Sequence, residues 1–241
     1  MKRSSKSLFL FLLFFLISIP CISASCFEGR VSTFIIDAGH GGKDPGAQGF
    51  GINEKDINLE IAKEIGSRLE KSGRNVLLTR YDDYFLSLAE RCDIANSSPV
   101  FSSGYPLFVS IHVNASEDES ASGFEVYIKD DERLVKMISP EMNPLLALKY
   151  SSYKPSDLNR YKDERSREVA ESIIEKVKRK LPETKIRGVK EGDLYVLNST
   201  WMPSVLVELG FISNRKENEN LIDSRYRSIL VEAIVEALIG F

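Results

Sequence analysis

Val31-Ser-Thr-Phe-Ile-Ile36 is a short apolar run that opens directly onto Asp37-Ala-Gly-His-Gly-Gly42 and a glycine-rich stretch reaching Gly51. The run reads as a buried strand and the stretch after it as a loop. Asn53 then stands where a helix cap belongs, and the helix it opens is expected to run to about Ser72, with Gly73 stopping it. Ile57, Ile61, Ile65 and Leu69, with Ala62, give that helix a broad apolar arc suited to covering a sheet. A strand, a glycine loop and a covering helix form the repeating unit of an α/β fold.

The rest of the chain extends the pattern. Residues 75–79, 107–111, 124–128, 194–197 and 205–207 read as further strands, and residues 86–95, 163–181 and 225–238 as further helices. Strands alternating with amphipathic helices imply a single α/β domain, with a largely parallel twisted sheet flanked by helices on both faces. Ligands in such sheets bind beyond the carboxyl ends of the strands. The chain has 241 residues, 43% hydrophobic and 28% charged, enough for one substantial core. Its formal net charge is −3 with Lys and Arg dispersed, which excludes the basic footprint of a nucleic-acid binder.

Residues 1–25 read as a signal peptide. Lys2, Arg3 and Lys6 precede an apolar run from Leu8 to Pro20 that is shorter than the ~20 residues of a membrane span, and Ser23-Ala24-Ser25 suits a cleavage site. The protein is therefore expected to be exported, to the periplasm or cell envelope, with residues 26–241 as its mature domain. Cys26 is a candidate for lipid modification and membrane anchoring, the alternative being a loose N-terminus. Cys92, at helical spacing from Leu88, is expected to be a buried thiol; a Cys26–Cys92 disulfide has no positive support.

Only two histidines occur, His40 and His112, each directly after an expected buried strand. Glu208 follows Val205-Leu-Val207, and Glu54 opens the first helix beyond the loop that carries His40. All four converge on one rim of the sheet. Two imidazoles and a carboxylate make a zinc site that leaves a position for water, and a second carboxylate suits a base. Taken singly, each residue has a plainer role: a histidine as structural hydrogen-bonder, Glu54 as a helix-dipole partner, Glu208 as an arginine partner.

At these residues the sequence resembles the zinc-dependent N-acetylmuramoyl-L-alanine amidases, bacterial cell-wall hydrolases. Asp37-Ala-Gly-His-Gly-Gly42 with Asn53-Glu-Lys-Asp-Ile-Asn58 is similar to the family's opening motifs. Thr79-Arg80, Leu88-Ala-Glu-Arg91, Ala95-Asn96, Ser110-Ile-His-Val-Asn-Ala115 and Gly123-Phe-Glu-Val-Tyr-Ile128 follow in the family's order. Arg187-Gly-Val189, Val196-Leu197, Pro203-Ser-Val-Leu-Val-Glu-Leu-Gly-Phe211 and Ser213-Asn214 close it, so the likeness spans residues 31–241. It implies zinc on His40, Glu54 and His112, Glu208 as catalytic base, and peptidoglycan as substrate. The implied reaction cleaves the amide between N-acetylmuramic acid and L-alanine of the stem peptide. Two rivals stay open: a zinc carboxypeptidase acting on stem peptides, with Arg187 or Arg215 reading a free carboxylate, and a noncatalytic envelope binding protein.

Four further expectations concern the surroundings. Asn114 either orients a ligand or forms a turn, Arg80 pairs with an acid, and Asp37 either braces a ligating histidine or satisfies the amides of the glycine loop. Residues 129–162, with Pro140, Pro144 and Pro155, look long for a link and carry Met137, Ile138, Met142, Leu145, Leu146 and Leu148. That segment is expected to pack on the domain, either as a lid or regulatory insertion or as passive structure. An activator protein is a candidate partner, and the chain is expected to be a monomer.

Overall fold

The structure, a computed structural model, describes residues 26–98, 104–130, 132–139, 142 and 144–241; the expected signal peptide lies outside the described residues. Strand β1 (Val31–Ala38) leads into a small hairpin, β2 (Gln48–Gly49) and β3 (Ile52–Asn53), and then helix α1 (Glu54–Lys71). Next come β4 (Val76–Leu78), α2 (Leu88–Asn96), β5 (Tyr105–Asn114) and β6 (Phe124–Lys129). The chain continues through α3 (Pro144–Tyr150), α4 (Pro155–Lys180), β7 (Ile186–Gly192), α5 (Tyr195–Ser199), β8 (Ser204–Phe211), α6 (Arg215–Ile222) and α7 (Ser224–Ile239).

Six strands form one sheet in the order β4-β1-β5-β8-β6-β7. Every pairing is parallel except β6 against β8. The larger core holds the apolar faces of α1, α4 and α7 against one side of the sheet. A smaller cluster, including Ile35, Cys92, Phe108, Val196, Leu197 and Leu206, lies under α2 and α5 on the other. The single-domain, largely parallel architecture expected from the sequence is the one observed.

Several elements differ from expectation. Residues 194–197 lie at the start of helix α5, because a short apolar run has no periodicity that separates strand from helix. Strand β7 was not foreseen: Ile186-Arg-Gly-Val-Lys-Glu-Gly192 is charged and carries two glycines, the composition of a sheet edge that resists further pairing. Helix α6 was likewise missed. Helix α4 begins at Pro155 rather than near residue 163, with proline in its first turn, where the missing amide is harmless.

Much of the described part of the 129–162 segment packs at the end of the sheet opposite the histidines. Tyr150 packs edge-on against Phe27 at 5.7 Å, Phe27 packs the same way against Tyr105, and the Tyr150 hydroxyl donates to the Trp201 carbonyl. Tyr105 begins β5, and His112 sits seven residues along it, about 23 Å away at ~3.3 Å per residue. Val135, Met137, Met142 and Leu146 are buried in the main core. These described residues belong to the far end of the domain.

Cys26 is fully buried beside this aromatic group rather than loose, and burial pushes its thiol up to about 12. A lipid on that sulfur would have to draw it out of the core. Cys92 is a buried free thiol as expected, and it lies on the other side of the sheet from Cys26.

The end of β1 is tied down by buried charge. Asp37 accepts from Thr79 Oγ1 at 2.6 Å, Ser110 Oγ at 2.7 Å and Arg91 Nη1 at 2.7 Å. Arg91 also donates to the Ala38 and His40 carbonyls, and Arg80 to those of Ala38, Gly39 and Lys55. Asp37 therefore braces neither a histidine nor the loop amides, and Arg80 serves carbonyls rather than an acid. Burial works to raise the Asp37 pKa, but Arg91 and the two hydroxyls outweigh it and hold the carboxyl below its ordinary value. Its contribution to stability is thus present above about pH 4 and lost as pH falls below that. Asp37→Asn is expected to cost about 3 kcal/mol in urea unfolding at pH 7 and clearly less near pH 3, because it strands the Arg91 charge.

Candidate metal centre and acid site

Two strands and a helix start build the centre. The inward pull of Arg80 and Arg91 on three consecutive carbonyls turns the chain sharply at Gly39-His40. His40 is left at φ 59°, a left-handed conformation unusual for a residue with a side chain and typical of constrained functional positions. Gly39 is required by close approach: a Cβ there would lie 2.3 Å from the His112 ring. Gly46, at φ 66°, likewise passes within 3 Å of both Glu54 and His40 at the point where a Cβ would stand.

Glu54 occupies the first turn of α1 and bridges the histidines. Its Oε1 lies 2.8 Å from His112 Nδ1 and its Oε2 3.2 Å from His40 Nε2. The imidazole centroids are 5.0 Å apart and nearly perpendicular. The Val113 and Ala47 amides and the Asn58 side chain also donate to the carboxylate. Burial would raise the Glu54 pKa, but the bonds from His112 and His40 outweigh it and hold the group far below the carboxylate range. Burial would lower that of His40; Glu54 and Asp44 raise it instead, to about 9. His40 Nδ1 lies 2.8 Å from Asp44 Oδ2, which leaves Nε2 facing the cluster. A carboxylate on the remote nitrogen is the usual brace of a metal-binding histidine.

His40, Glu54 and His112 each offer an atom within 4.8 Å of the others. Small side-chain adjustments would bring all three to the ~2.0–2.2 Å of zinc bonds, and nitrogen with carboxylate oxygen is a donor set that zinc accepts. Glu208 sits on β8 directly beside His112 on β5. It lies within the strand, which runs on to Phe211, rather than at its end. Its Oε2 is buried without a hydrogen-bond partner, and burial, with the nearby Glu54 and Glu125 charges, raises its pKa to about 7 against the opposing pull of His112. An orphaned carboxylate oxygen beside three potential ligands is what a site built around a dication and its water leaves behind. The four residues expected to act together are together.

Other contributors went unassigned in the sequence. Asp44 stands four residues after His40, and Asn58 one helical turn after Glu54, a spacing that marks it as a neighbour. Glu125 lies opposite Glu208 across the antiparallel pair. Asn114 combines a turn role with a network role: its Oδ1 accepts the Ala115 amide and its Nδ2 donates to Glu125. A groove of about 390 Å³ leads away from His40 and His112 between Phe85-Leu86-Ser87-Leu88 and Leu194-Tyr195. Lys162, buried on α4, holds the α5 wall of this groove by donating to the Leu197 and Thr200 carbonyls. A cavity of about 550 Å³ between the end of α4 and α6 contains none of the four site residues.

Comparison with known proteins agrees with this geometry. Residues 34–240 match the family described as N-acetylmuramoyl-L-alanine amidase. The chain is 38% identical over 220 residues to the Bacillus subtilis protein YqiI, covering 91% of this chain and 88% of that one. It is 34% identical over 209 residues to the Bacillus subtilis amidase LytC, covering 87% of this chain but only 35% of LytC. Among solved structures it resembles the CwlD amidase of Clostridioides difficile, determined in complex with the GerS lipoprotein, with a TM-score of 0.69, 32% identity, and coverage of 87% of this chain and 97% of that one. The chain belongs to the N-acetylmuramoyl-L-alanine amidase family, whose members are zinc-dependent.

Proposed function

We propose that this protein cleaves the amide between the lactyl group of N-acetylmuramic acid and L-alanine of the peptidoglycan stem, with zinc held by His40, Glu54 and His112 and with Glu208 carrying the proton. Family membership supports the reaction, and the observation that carries the residue roles is the unpartnered Glu208 oxygen beside the His-Glu-His cluster. Bound zinc supplies Lewis acidity, polarising the scissile carbonyl and making water nucleophilic near neutral pH. Glu208, with its pKa raised by burial, takes a proton from the attacking water and returns it to the departing nitrogen of L-alanine. Asp44 holds His40 in the tautomer that presents Nε2, and Asn58 with the Val113 amide keeps Glu54 from rotating away. The likeness to a probable cell-wall amidase of Staphylococcus aureus supports an extracytoplasmic location at the envelope. No described helix is long and apolar enough to cross a membrane. The complex of the CwlD amidase with the GerS lipoprotein supports a protein partner for this chain as well.

Purified zinc-loaded protein incubated with peptidoglycan should release intact stem peptides beginning with L-alanine, identified by mass spectrometry. Shortened peptides or free amino acids would instead favour the carboxypeptidase reading. Glu208→Gln should lower kcat by about 10²–10⁴-fold while retaining bound zinc. The wild-type rate should fall with acid as Glu208 takes a proton, the midpoint lying at or below about 7 because a nearby dication favours the carboxylate.

Stripping the metal with a chelator should abolish turnover and lower the melting temperature, and zinc should restore both. Asp44→Asn should weaken zinc binding by about 10–100-fold in competition with a chromophoric chelator, with the fold intact. Unchanged affinity would remove Asp44 from the metal site.

A further inference from the structure

Beyond Glu208, on the side away from the groove, two cations share one buried carboxylate. Glu125 is 1% exposed, and its Oε2 takes both Arg187 Nε at 2.6 Å and Lys190 Nζ at 2.5 Å. Its Oε1 accepts from Asn114 Nδ2 at 2.8 Å and Tyr127 Oη at 3.2 Å. The carboxylate is therefore saturated. One cation would balance its charge; the second is surplus, and about a third of each cationic side chain is exposed. The Arg187 guanidinium lies over the Phe211 ring, 5.1 Å from its centroid. Its Nη1 makes only a long contact of 3.4 Å to the Ser122 carbonyl. The outer edge of the guanidinium is thus oriented on two sides and left with donors to spare.

The position of this pair is set by strand register. Glu125 on β6 faces Glu208 on β8, and Arg187 leans back onto Glu125 from β7. Adjacent strands are ~4.8 Å apart, so the surplus charge stands about one to two strand spacings from the proposed proton carrier. In the stem, the residue after L-alanine is γ-linked D-glutamate, whose α-carboxyl is free of the main chain. An extended chain spans ~3.3–3.6 Å per residue, which puts that carboxyl about 7 Å from the scissile nitrogen. The reach matches.

We propose that Arg187 and Lys190, braced by Glu125, form a subsite for the free α-carboxylate of the second stem residue, so that the enzyme favours stems carrying that carboxylate over stems in which it is a carboxamide. This rests on the amidase reading. The pair also gives Glu125 a purpose: it orients two cations while leaving net positive charge for the substrate, as paired donors do wherever planar carboxylates are read.

The test uses zinc-loaded protein and two soluble muramoyl peptides that differ only in an α-carboxylate or α-carboxamide at the second stem residue. Wild-type kcat/KM should favour the carboxylate by about tenfold to a hundredfold, mostly through KM, the range expected for a charged hydrogen-bonded pair. Arg187→Gln should bring the ratio towards one, Arg187→Lys should keep part of it, and Lys190→Gln should reduce it. Equal cleavage of both peptides by the wild type, or a preference for the carboxamide, overturns the subsite and leaves the amidase reading intact. A ratio unchanged in Arg187→Gln, with thermal unfolding showing the variant folded, overturns it too. Failure to cleave either peptide between muramic acid and L-alanine, with zinc bound, removes the amidase reading and the subsite with it.

Discussion

Three consecutive carbonyls, those of Ala38, Gly39 and His40, turn inward onto the buried guanidiniums of Arg80 and Arg91. Two buried cations without partners would be prohibitively costly, and Asp37 with these carbonyls satisfies them. This polar knot forces the left-handed turn at His40 and brings its ring beside His112. Arg80 also reaches the Lys55 carbonyl, so the same knot seats the first turn of α1 and with it Glu54. The site is the downstream result of packing at the end of one strand.

The charge pattern around that knot is graded. Glu54 sits among donors and stays ionised; Glu208, one strand along, is buried beside other carboxylates and holds its proton more tightly. Two carboxyl groups with pKa values driven apart by their surroundings are what separate ligand and proton-carrier roles require. Further along the sheet the sign reverses at Arg187 and Lys190, while the opposite groove is walled by apolar side chains such as Leu88 and Leu194. The centre therefore lies between an apolar wall and a cationic one.

Much of this was legible in the sequence because its physics is local. Strand β1, its glycine loop and α1 follow from an apolar run, glycine punctuation and a 3.6-residue period, and with only two histidines the candidate ligands were few. The four site residues meet because the loop after β1, the start of α1 and the later parts of the parallel strands β5 and β8 lie at one rim. What escaped depends on tertiary context. Strand β7 carries no alternation strong enough to announce an edge strand, and Tyr195-Val-Leu197 turns helical under its packing on Leu206 and Phe108. The roles of Arg80, Arg91 and Asp37 require knowing which carbonyls point inward. The 129–162 segment had the composition of something that packs, but composition does not say at which end of the sheet.

The claim at the centre of this account is that His40, Glu54 and His112 hold one zinc ion beside Glu208. A crystal of the zinc-loaded protein, measured on both sides of the zinc absorption edge, tests it directly. The account predicts a single strong anomalous peak within about 2.0–2.2 Å of a nitrogen of each histidine and an oxygen of Glu54, with Glu208 near but not bonded to it. A peak ligated elsewhere, or a folded protein that takes up no zinc at these residues, would contradict it.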